Sequence, residues 1–161
     1  MPKSGKSSLL AKVIEGIPNK VGFVTKEIRV NGERVGFEIE TNNGKKAVLS
    51  HVDLKTPNKV SKYFVDVEAL ESVLPHVSSF EDSNVLYLDE IGQMQLFSEK
   101  FKDAVLKFLN SKNTCVATLS AVYEDDFIES IKKRDDIILV ELTEENREEK
   151  GKLVRQLIKN I

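Results

Sequence analysis

The sequence has few of the residues that build disulfides, zinc sites and thiol chemistry. Its 161 residues include one cysteine, two histidines and no tryptophan. Cys115 cannot form an internal disulfide, and the apolar run around it is typical of a buried side chain rather than a nucleophile. His51 and His76 are isolated, so the chain has no framework of cysteine and histidine ligands for zinc. The composition therefore argues against thiol and zinc chemistry.

The sequence also lacks a long hydrophobic run and an excess of basic charge. No apolar stretch approaches the roughly twenty residues of a membrane span, and 40% hydrophobic and 31% charged residues are ordinary for a folded domain. The formal net charge of -2 provides no basic field, so nucleic acid is not favoured as a partner. We expect a cytoplasmic protein without a membrane partner, and the composition indicates no particular protein partner.

The amino-terminal residues fit the end of a phosphate-binding loop, G-x-x-x-x-G-K-[ST]. In such a loop, backbone N–H groups surround the phosphates of a nucleotide, the lysine reaches the outer phosphates and the hydroxyl binds Mg²⁺. This interpretation assigns nucleotide contacts to Pro2, Lys3, Ser4, Gly5, Lys6, Ser7 and Ser8. The alternative is an ordinary helix start, with Ser4 as the N-cap and Lys6 in solvent.

The complete motif would begin one residue before Met1, and a buried strand normally precedes it. We expect that translation starts further upstream; the alternatives are a shortened chain and a protein that has lost this strand. The expected domain therefore lacks its first strand and the first glycine of the loop.

A second pattern combines an apolar run with two adjacent acids. Val85–Leu88 is typical of a strand that is covered on both faces, and Asp89 and Glu90 follow it directly. Asp89 is a candidate to hold Mg²⁺, usually through a water, and Ser7 is a candidate direct hydroxyl ligand. Glu90 is a candidate general base for an attacking water, with Lys6 on the outer phosphates. Alone, the acids fit a strand end before a polar turn, but their combination with the loop favours a nucleotide-hydrolysing site.

The region after the first helix predicts an antiparallel meander. Strand patterns at Val21–Val30 and Glu33–Glu40 are joined by Asn31-Gly32, which is a strong signal for a two-residue hairpin turn. A third strand pattern covers Lys46–His51. The polar segment Asp53–Ser61 predicts a loop.

Helices and strands alternate in the rest of the chain. The patterns predict helices at Leu9–Ile17, after Asp66, after Ser98, at Asp125–Lys133 and after Thr143, and further strands at Val85–Leu88, Thr114–Leu119 and Ile137–Leu142. Such alternation implies a parallel sheet with helices on both faces. We therefore predict an α/β fold, a single three-layer domain over residues 1–161 with a mainly parallel sheet and an inserted antiparallel meander. Ligands of such sheets bind outside the carboxyl ends of the strands.

Three segments resemble a known family in the same order along the chain. Gly22–Ile39 resembles its G-F-x-T-x-E-x-R…R-x-G-F hairpin, Asp89–Ser98 its D-E-I-G-K-M-E-L-F-S signature, and Leu142–Arg147 its T-x-E-N-R segment. The chain is therefore identified as a member of the small P-loop nucleoside-triphosphatase family, which includes thermostable and cancer-related nucleoside triphosphatases. Gln93 and Gln95 stand where this family commonly has lysine and glutamate.

The resemblance implies a P-loop NTPase fold and slow, Mg²⁺-dependent hydrolysis of ATP, GTP, CTP and UTP, with little discrimination among bases. Spacing alone does not mark the arginines of such a site. Arg29, Arg34 and Arg147 are candidates for contacts with the phosphates or the base, and Lys62 and Tyr63 are candidates from a covering loop. The alternative for each arginine is a solvated charge or a structural ion pair.

Two other functions remain open from the sequence. A nucleoside or nucleotide kinase uses the same loop to transfer phosphate to an acceptor, but no arginine-rich lid is recognisable and the acid beside Asp89 suits water activation. The third hypothesis is a nucleotide-binding switch or scaffold without turnover.

Overall fold

A seven-stranded sheet organises residues 5–159, the part of the chain that the structure, a computed structural model, describes. The strands are β1 (Lys20–Val30), β2 (Glu33–Thr41), β3 (Lys46–His51), β4 (Asn58–Val60), β5 (Tyr63–Val65), β6 (Val85–Ile91) and β7 (Cys115–Leu119). The helices are α1 (Lys6–Glu15), α2 (Val67–Val73), α3 (Glu99–Leu109), α4 (Asp126–Lys132) and α5 (Arg147–Lys159), with 3₁₀ turns at Leu74–Val77 and Gln95–Phe97. None of these described helices is long and apolar enough to cross a membrane.

The strands are ordered β4-β5-β3-β2-β1-β6-β7 across the sheet. Within residues 5–159 only β1–β6 and β6–β7 pair in parallel, and the other four pairings are antiparallel. The predicted α/β fold is confirmed, but the sheet is mixed and not mainly parallel. The reason lies in the connections: short turns join antiparallel strands within residues 20–65, whereas each parallel strand needs a longer crossover.

The β1–β2 hairpin forms where the sequence predicts it. Asn31 and Gly32 make the turn with φ of 53° and 82°, the positive values of a type I′ turn. β1 also joins the antiparallel half of the sheet to the parallel half, because it pairs with β6 in a register that sets Val24 opposite Asp89. β1 continues to Val30, so the hairpin projects past the carboxyl end of β6.

Helices cover both faces of the sheet, which confirms the three-layer arrangement. Alternate residues of β6 face opposite layers: Leu86 and Leu88 lie in the main core with α2, α3 and α4, while Tyr87 packs against α1. α5 packs on α1, where Leu9 approaches Gly151 closely. The helix that follows the phosphate loop is therefore held between the sheet and α5.

Side-chain caps fix the starts of three helices on the other face. The Asp66 carboxylate accepts a hydrogen bond from the Ala69 N–H at 3.1 Å, at the start of α2. The Ser98 hydroxyl accepts one from the Phe101 N–H at 3.0 Å, at the start of α3. Asp125 caps α4 at 2.8 Å. The helix starts predicted at Asp66 and Ser98 are confirmed. A short segment joins β6 to α3, and Asp89 and Glu90 lie near the carboxyl end of β6.

Two predictions about strands and loops are wrong. Asp53–Ser61 is not a loop throughout, because Asn58–Val60 forms β4, a strand too short to show a periodic pattern. Ile137–Leu142 forms no strand, and Ile138 and Leu139 are 68% and 57% exposed. Among the described residues β7 is the edge strand on this side of the sheet, and Ile137–Leu142 does not pair with it.

Candidate active site

Four of the predicted phosphate-loop residues, Gly5, Lys6, Ser7 and Ser8, lie at the start of α1. Gly5 has φ 81° and ψ 22°, a left-handed conformation that glycine adopts readily, and its carbonyl accepts a hydrogen bond from the Leu9 N–H at 2.9 Å. The first N–H groups of a helix have no partner within it, so this end of α1 presents donors to an anion. Ser8 is exposed on the first turn. Three predicted loop residues lie outside the described part of the chain: Pro2, Lys3 and Ser4.

Lys6 and Ser7 meet the acids of β6. Ser7 Oγ donates a hydrogen bond to Asp89 Oδ1 at 3.0 Å. Lys6 Nζ lies 3.4 Å from Glu90 Oε2 and also donates to the carbonyl oxygen of Leu119, at the end of β7. Residues 82 and 84 positions apart therefore share one site at the carboxyl ends of β6 and β7. The structure brings together these four predicted side chains.

Asp89 is nearly enclosed, with 3% of its surface exposed. Its Oδ1 accepts hydrogen bonds from Ser7 and from Thr118 Oγ1, the latter at 2.7 Å. Burial raises the pKa of Asp89 above its usual range, and the hydroxyls of Thr118 and Ser7 and the charge of Lys6 oppose that shift. A carboxylate whose charged form is destabilised by burial gains most from a cation placed beside it.

Glu90 is half-buried beside Lys6. Burial is the largest cause that raises the pKa of Glu90 above its usual range; Asp89 adds to the shift and Lys6 opposes it. The Glu90 carboxylate lies against Gly92, because a Cβ on this glycine would come within 2.9 Å of Glu90 Oε1. A raised pKa at the edge of a phosphate site is the property expected of a general base.

The oxygen atoms at the site suit Mg²⁺. This ion prefers oxygen ligands, keeps several waters and binds through one or two protein groups together with substrate phosphates. The Ser7 hydroxyl and the Asp89 carboxylate are such groups, and they already contact each other. Residues 5–159 contain no group of three or more histidine, cysteine, aspartate or glutamate side chains that could hold a metal ion. The Ser7 and Asp89 oxygens fit an ion that takes its other ligands from water and phosphate.

Thr118 is a site residue that sequence reasoning missed. It lies near the carboxyl end of β7, is 8% exposed and contacts the predicted metal ligand Asp89. A hydroxyl at the end of an apolar strand is the signal that the sequence offers. The sequence does not reveal that β7 pairs with β6, so this signal could not be connected with Asp89.

The structure places the candidate arginines in two different regions. The Arg147 guanidinium lies over the phosphate loop, because a Cβ on Gly5 would come within 2.7 Å of Arg147 Nε. Arg29 and Arg34 instead both form ion pairs with Glu27 in the β1–β2 hairpin, at 3.0 Å and 3.4 Å. Of the three arginines, Arg147 is the one that the structure brings to the loop.

Residues before α5 explain the position of Arg147. The Thr143 N–H donates to Asn146 Oδ1 at 2.7 Å, and the Asn146 N–H donates to Thr143 Oγ1 at 3.3 Å. This reciprocal pair ends at the residue before Arg147, the first residue of α5. The segment that resembles T-x-E-N-R therefore starts a helix and sets its first arginine beside Gly5.

The candidates from the covering loop form a separate cluster with Arg34. Arg34 Nε donates to the Tyr63 hydroxyl at 2.9 Å, and the Lys62 ammonium lies 5.6 Å from the centre of the Tyr63 ring. The hydrogen bond with Tyr63 is the largest cause that raises the pKa of Arg34. The Arg34–Tyr63 contact ties the β1–β2 hairpin to the β4–β5 hairpin, whereas the Lys62–Tyr63 contact lies within the β4–β5 hairpin.

Glu90→Gln is expected to stabilise the metal-free protein at neutral pH. A carboxyl whose pKa is raised on folding stabilises the folded state below its unfolded pKa, and this contribution is lost as the pH rises through the folded pKa. The variant should therefore melt above the parent at pH 8 in EDTA, with a smaller difference at pH 5. Each 1 kcal/mol would raise the Tm by roughly 2–4 °C. A variant that melts below the parent at pH 8 would contradict the assigned cause of the shift.

The comparison with known protein families decides the assignment. A sequence model of the family described as NTPase matches residues 1–157. The chain belongs to this NTPase family. The predicted family membership is thereby confirmed.

Relatives of the chain carry names that agree with the NTPase family. The chain is 38% identical over 148 residues to a nucleoside-triphosphatase THEP1 of Thermotoga sp. (strain RQ2), covering 91% of the chain and 84% of the relative. It is 36% identical over 169 residues to THEP1 of Methanocaldococcus jannaschii, covering 100% and 93%. It is 34% identical over 165 residues to the human cancer-related nucleoside-triphosphatase, covering 91% and 86%.

Two solved structures share the fold of this NTPase. The crystal structure of THEP1 from the hyperthermophile Aquifex aeolicus superposes with a TM-score of 0.86 at 32% identity, covering 97% of the chain and 94% of that protein. The solution structure of a human cancer-related nucleoside triphosphatase gives a TM-score of 0.80 at 31% identity, covering 99% and 94%. The predicted P-loop NTPase fold is confirmed by these neighbours.

Proposed function

We propose that this NTPase-family chain acts as a single domain that hydrolyses the terminal phosphoanhydride of nucleoside triphosphates, with Mg²⁺ as cofactor. The observation that carries the proposal is the convergence of Lys6 and Ser7 with Asp89 and Glu90 across more than half of the sequence. Both the family description and the names of the relatives support hydrolysis of nucleoside triphosphates.

The chain's residues take distinct roles in this reaction. Lys6 binds the β and γ phosphates, and Ser7 and Asp89 would hold the metal, which would neutralise phosphate charge when it is bound. Glu90 orients a water molecule and accepts its proton as the water oxygen bonds to the γ-phosphorus. The bond from the γ-phosphorus to the bridging oxygen breaks, and the products are a nucleoside diphosphate and phosphate.

The remaining nucleotide contacts come from the loop and from α5. Gly5 and Ser8 lie at the start of α1, and Pro2, Lys3 and Ser4 complete the proposed loop. Arg147 is the proposed arginine neighbour of the phosphates, supported by its place over Gly5. The ion pair of Arg29 with Glu27 supports its alternative role as a structural charge in the hairpin.

The proposed substrates are ATP, GTP, CTP and UTP, and the proposed compartment is the cytoplasm. The relatives' names specify nucleoside triphosphates without specifying a base, which supports a broad substrate range. The residues to which we assign a role in the reaction would contact phosphate, metal or water. We therefore expect the four substrates to be turned over at similar rates.

A product assay distinguishes the proposed function from its alternatives. Each nucleoside triphosphate is incubated with the protein, with Mg²⁺ or with excess EDTA, and with added nucleosides as acceptors. We expect free phosphate and diphosphate with Mg²⁺, neither product in EDTA, and no phosphorylated nucleoside. Phosphorylation of an acceptor without release of phosphate would identify a kinase, and Mg²⁺-dependent binding without product would identify a binding switch.

Gly92→Ala is expected to lower kcat by roughly tenfold to a hundredfold, because displacement of a catalytic group by about 1 Å can cost this much. The added Cβ would lie 2.9 Å from Glu90 Oε1, so the carboxylate must move. Gly16→Ala is the matched control, since a Cβ at the end of α1 meets nothing within 4 Å. Equal kcat values for the two variants in steady-state phosphate release would show that the catalytic position of Glu90 does not require the absence of a side chain at Gly92.

A further inference from the structure

Thr118 and Ser7 bind the same oxygen of Asp89. The Thr118 hydroxyl donates to Asp89 Oδ1 at 2.7 Å, and the Ser7 hydroxyl donates to the same atom at 3.0 Å. None of the hydrogen bonds described within residues 5–159 uses Asp89 Oδ2. Asp89 Oδ1 is therefore the carboxylate oxygen that the described side chains hold.

We propose that Thr118 is a positioning residue that holds Asp89 Oδ1 and thereby directs Asp89 Oδ2 toward the metal. This inference rests on the proposed NTPase function. Groups that bind the far side of a metal ligand fix its orientation, and their loss typically weakens metal affinity or activity by about 10–100-fold. Thr118 has this relation to Asp89, because its hydroxyl contacts the carboxylate without being one of the proposed metal ligands.

The two hydroxyls differ in their exposure to solvent, and this difference explains why Thr118 is needed to hold Asp89. Ser7 is exposed on the first turn of α1 and is itself a proposed metal ligand, so a bound metal competes with Asp89 for its hydroxyl. Thr118 is 8% exposed within β7, which pairs directly with β6. Its β-branched side chain also has a restricted χ1 angle. Thr118 is therefore the permanent hydrogen-bond donor to Asp89, and Ser7 is the exchangeable one.

The test replaces Thr118 by valine, which has nearly the same shape, suits a strand and lacks the hydroxyl. Binding of a non-hydrolysable ATP analogue is measured by calorimetry in EDTA and with Mg²⁺, and Mn²⁺ binding in the presence of the analogue is measured by electron paramagnetic resonance. For Thr118→Val we expect about tenfold weaker Mn²⁺ binding. The affinity for the analogue in EDTA should equal that of the parent, and Thr118→Ser should restore Mn²⁺ affinity.

The matched control is Thr41→Val, the same change at a buried threonine in β2 whose described hydroxyl partners are Asn43 and Lys45. It should leave Mn²⁺ affinity unchanged. If Thr118→Val does not fold, Thr118→Ala removes the same hydroxyl and carries the same expectations.

Three results would overturn the positioning role of Thr118. These are unchanged Mn²⁺ affinity in Thr118→Val, an equal loss of analogue affinity in EDTA, and failure of Thr118→Ser to restore binding. If the parent does not bind the analogue with Mg²⁺, the proposed function fails and the role of Thr118 fails with it. Binding by the parent together with any of the three results rejects the role of Thr118 alone.

Discussion

Glu90→Gln is expected to slow phosphate release by about a thousandfold while nucleotide binding is retained, since a positioned general base typically contributes about 10²–10⁴-fold. The glutamine has nearly the same shape, but it cannot accept a proton from the attacking water. The structure supports this role because Glu90 lies beside Lys6 and because burial favours its protonated form. Single-turnover phosphate release and equilibrium binding of ATP separate the two effects.

Glu38→Gln is the matched control for the change at Glu90. Glu38 is a half-buried glutamate in β2 of the same sheet, and it makes no described contact with the site. Its replacement should leave both turnover and binding unchanged. Parent-like turnover by Glu90→Gln would remove Glu90 from its proposed role, while Asp89 and Lys6 would keep theirs.

Lys6→Ala is expected to abolish the preference of the protein for nucleoside triphosphate over diphosphate. A hydrogen bond to a charged group contributes about 1.5–3 kcal/mol, so the triphosphate should bind roughly tenfold to a hundredfold more weakly. Turnover should fall by about 10²–10³-fold or more, because the lysine also stabilises charge that develops in the transition state. Affinities for ADP and for a non-hydrolysable ATP analogue, measured with Mg²⁺, test the loss of preference.

Lys12→Ala controls for the loss of a positive charge from α1. Lys12 is exposed in the last turn of the same helix, on the far side from the phosphate loop. Its removal should cost little stability and should not change nucleotide affinity. If Lys6→Ala and Lys12→Ala bind the ATP analogue equally well, Lys6 does not contact the outer phosphates.

The sequence predicts those features whose cause is local. Asn31-Gly32 specifies its turn by the conformations that these two residues adopt, and Asp66 and Ser98 cap the helices that follow them. The approach of Lys6 and Ser7 to Glu90 and Asp89 can also be predicted, since ligands of such sheets bind outside the carboxyl ends of the strands. The loop motif and the alternation of strands and helices each predict this approach independently of the other.

Three features of the fold and the site could not be predicted from the sequence. Asn58–Val60 becomes a strand because β5 lies beside it, and three residues show no periodicity of their own. Ile137–Leu142 has an apolar strand pattern, yet it does not pair with β7, the edge strand on that side of the described sheet. Thr118 reaches Asp89 through the β6–β7 pairing, which no local pattern encodes.

The placement of Arg147 shows how a site residue depends on tertiary structure. Its position over Gly5 follows from the turn at Thr143 and from the packing of α5 on α1. The sequence marked this arginine and Arg29 equally. Only the fold separates an arginine at the loop from one that is paired with Glu27 in a hairpin.

The most direct measurement is a crystal structure of the Glu90→Gln variant with ATP and Mg²⁺, in which slow turnover preserves the substrate. We predict that the γ-phosphate lies within hydrogen-bond distance of Lys6 Nζ, with Mg²⁺ between the Ser7 hydroxyl and the Asp89 carboxylate. ATP bound elsewhere on the protein, with Lys6 and Asp89 contacting neither its phosphates nor its metal, would contradict the account.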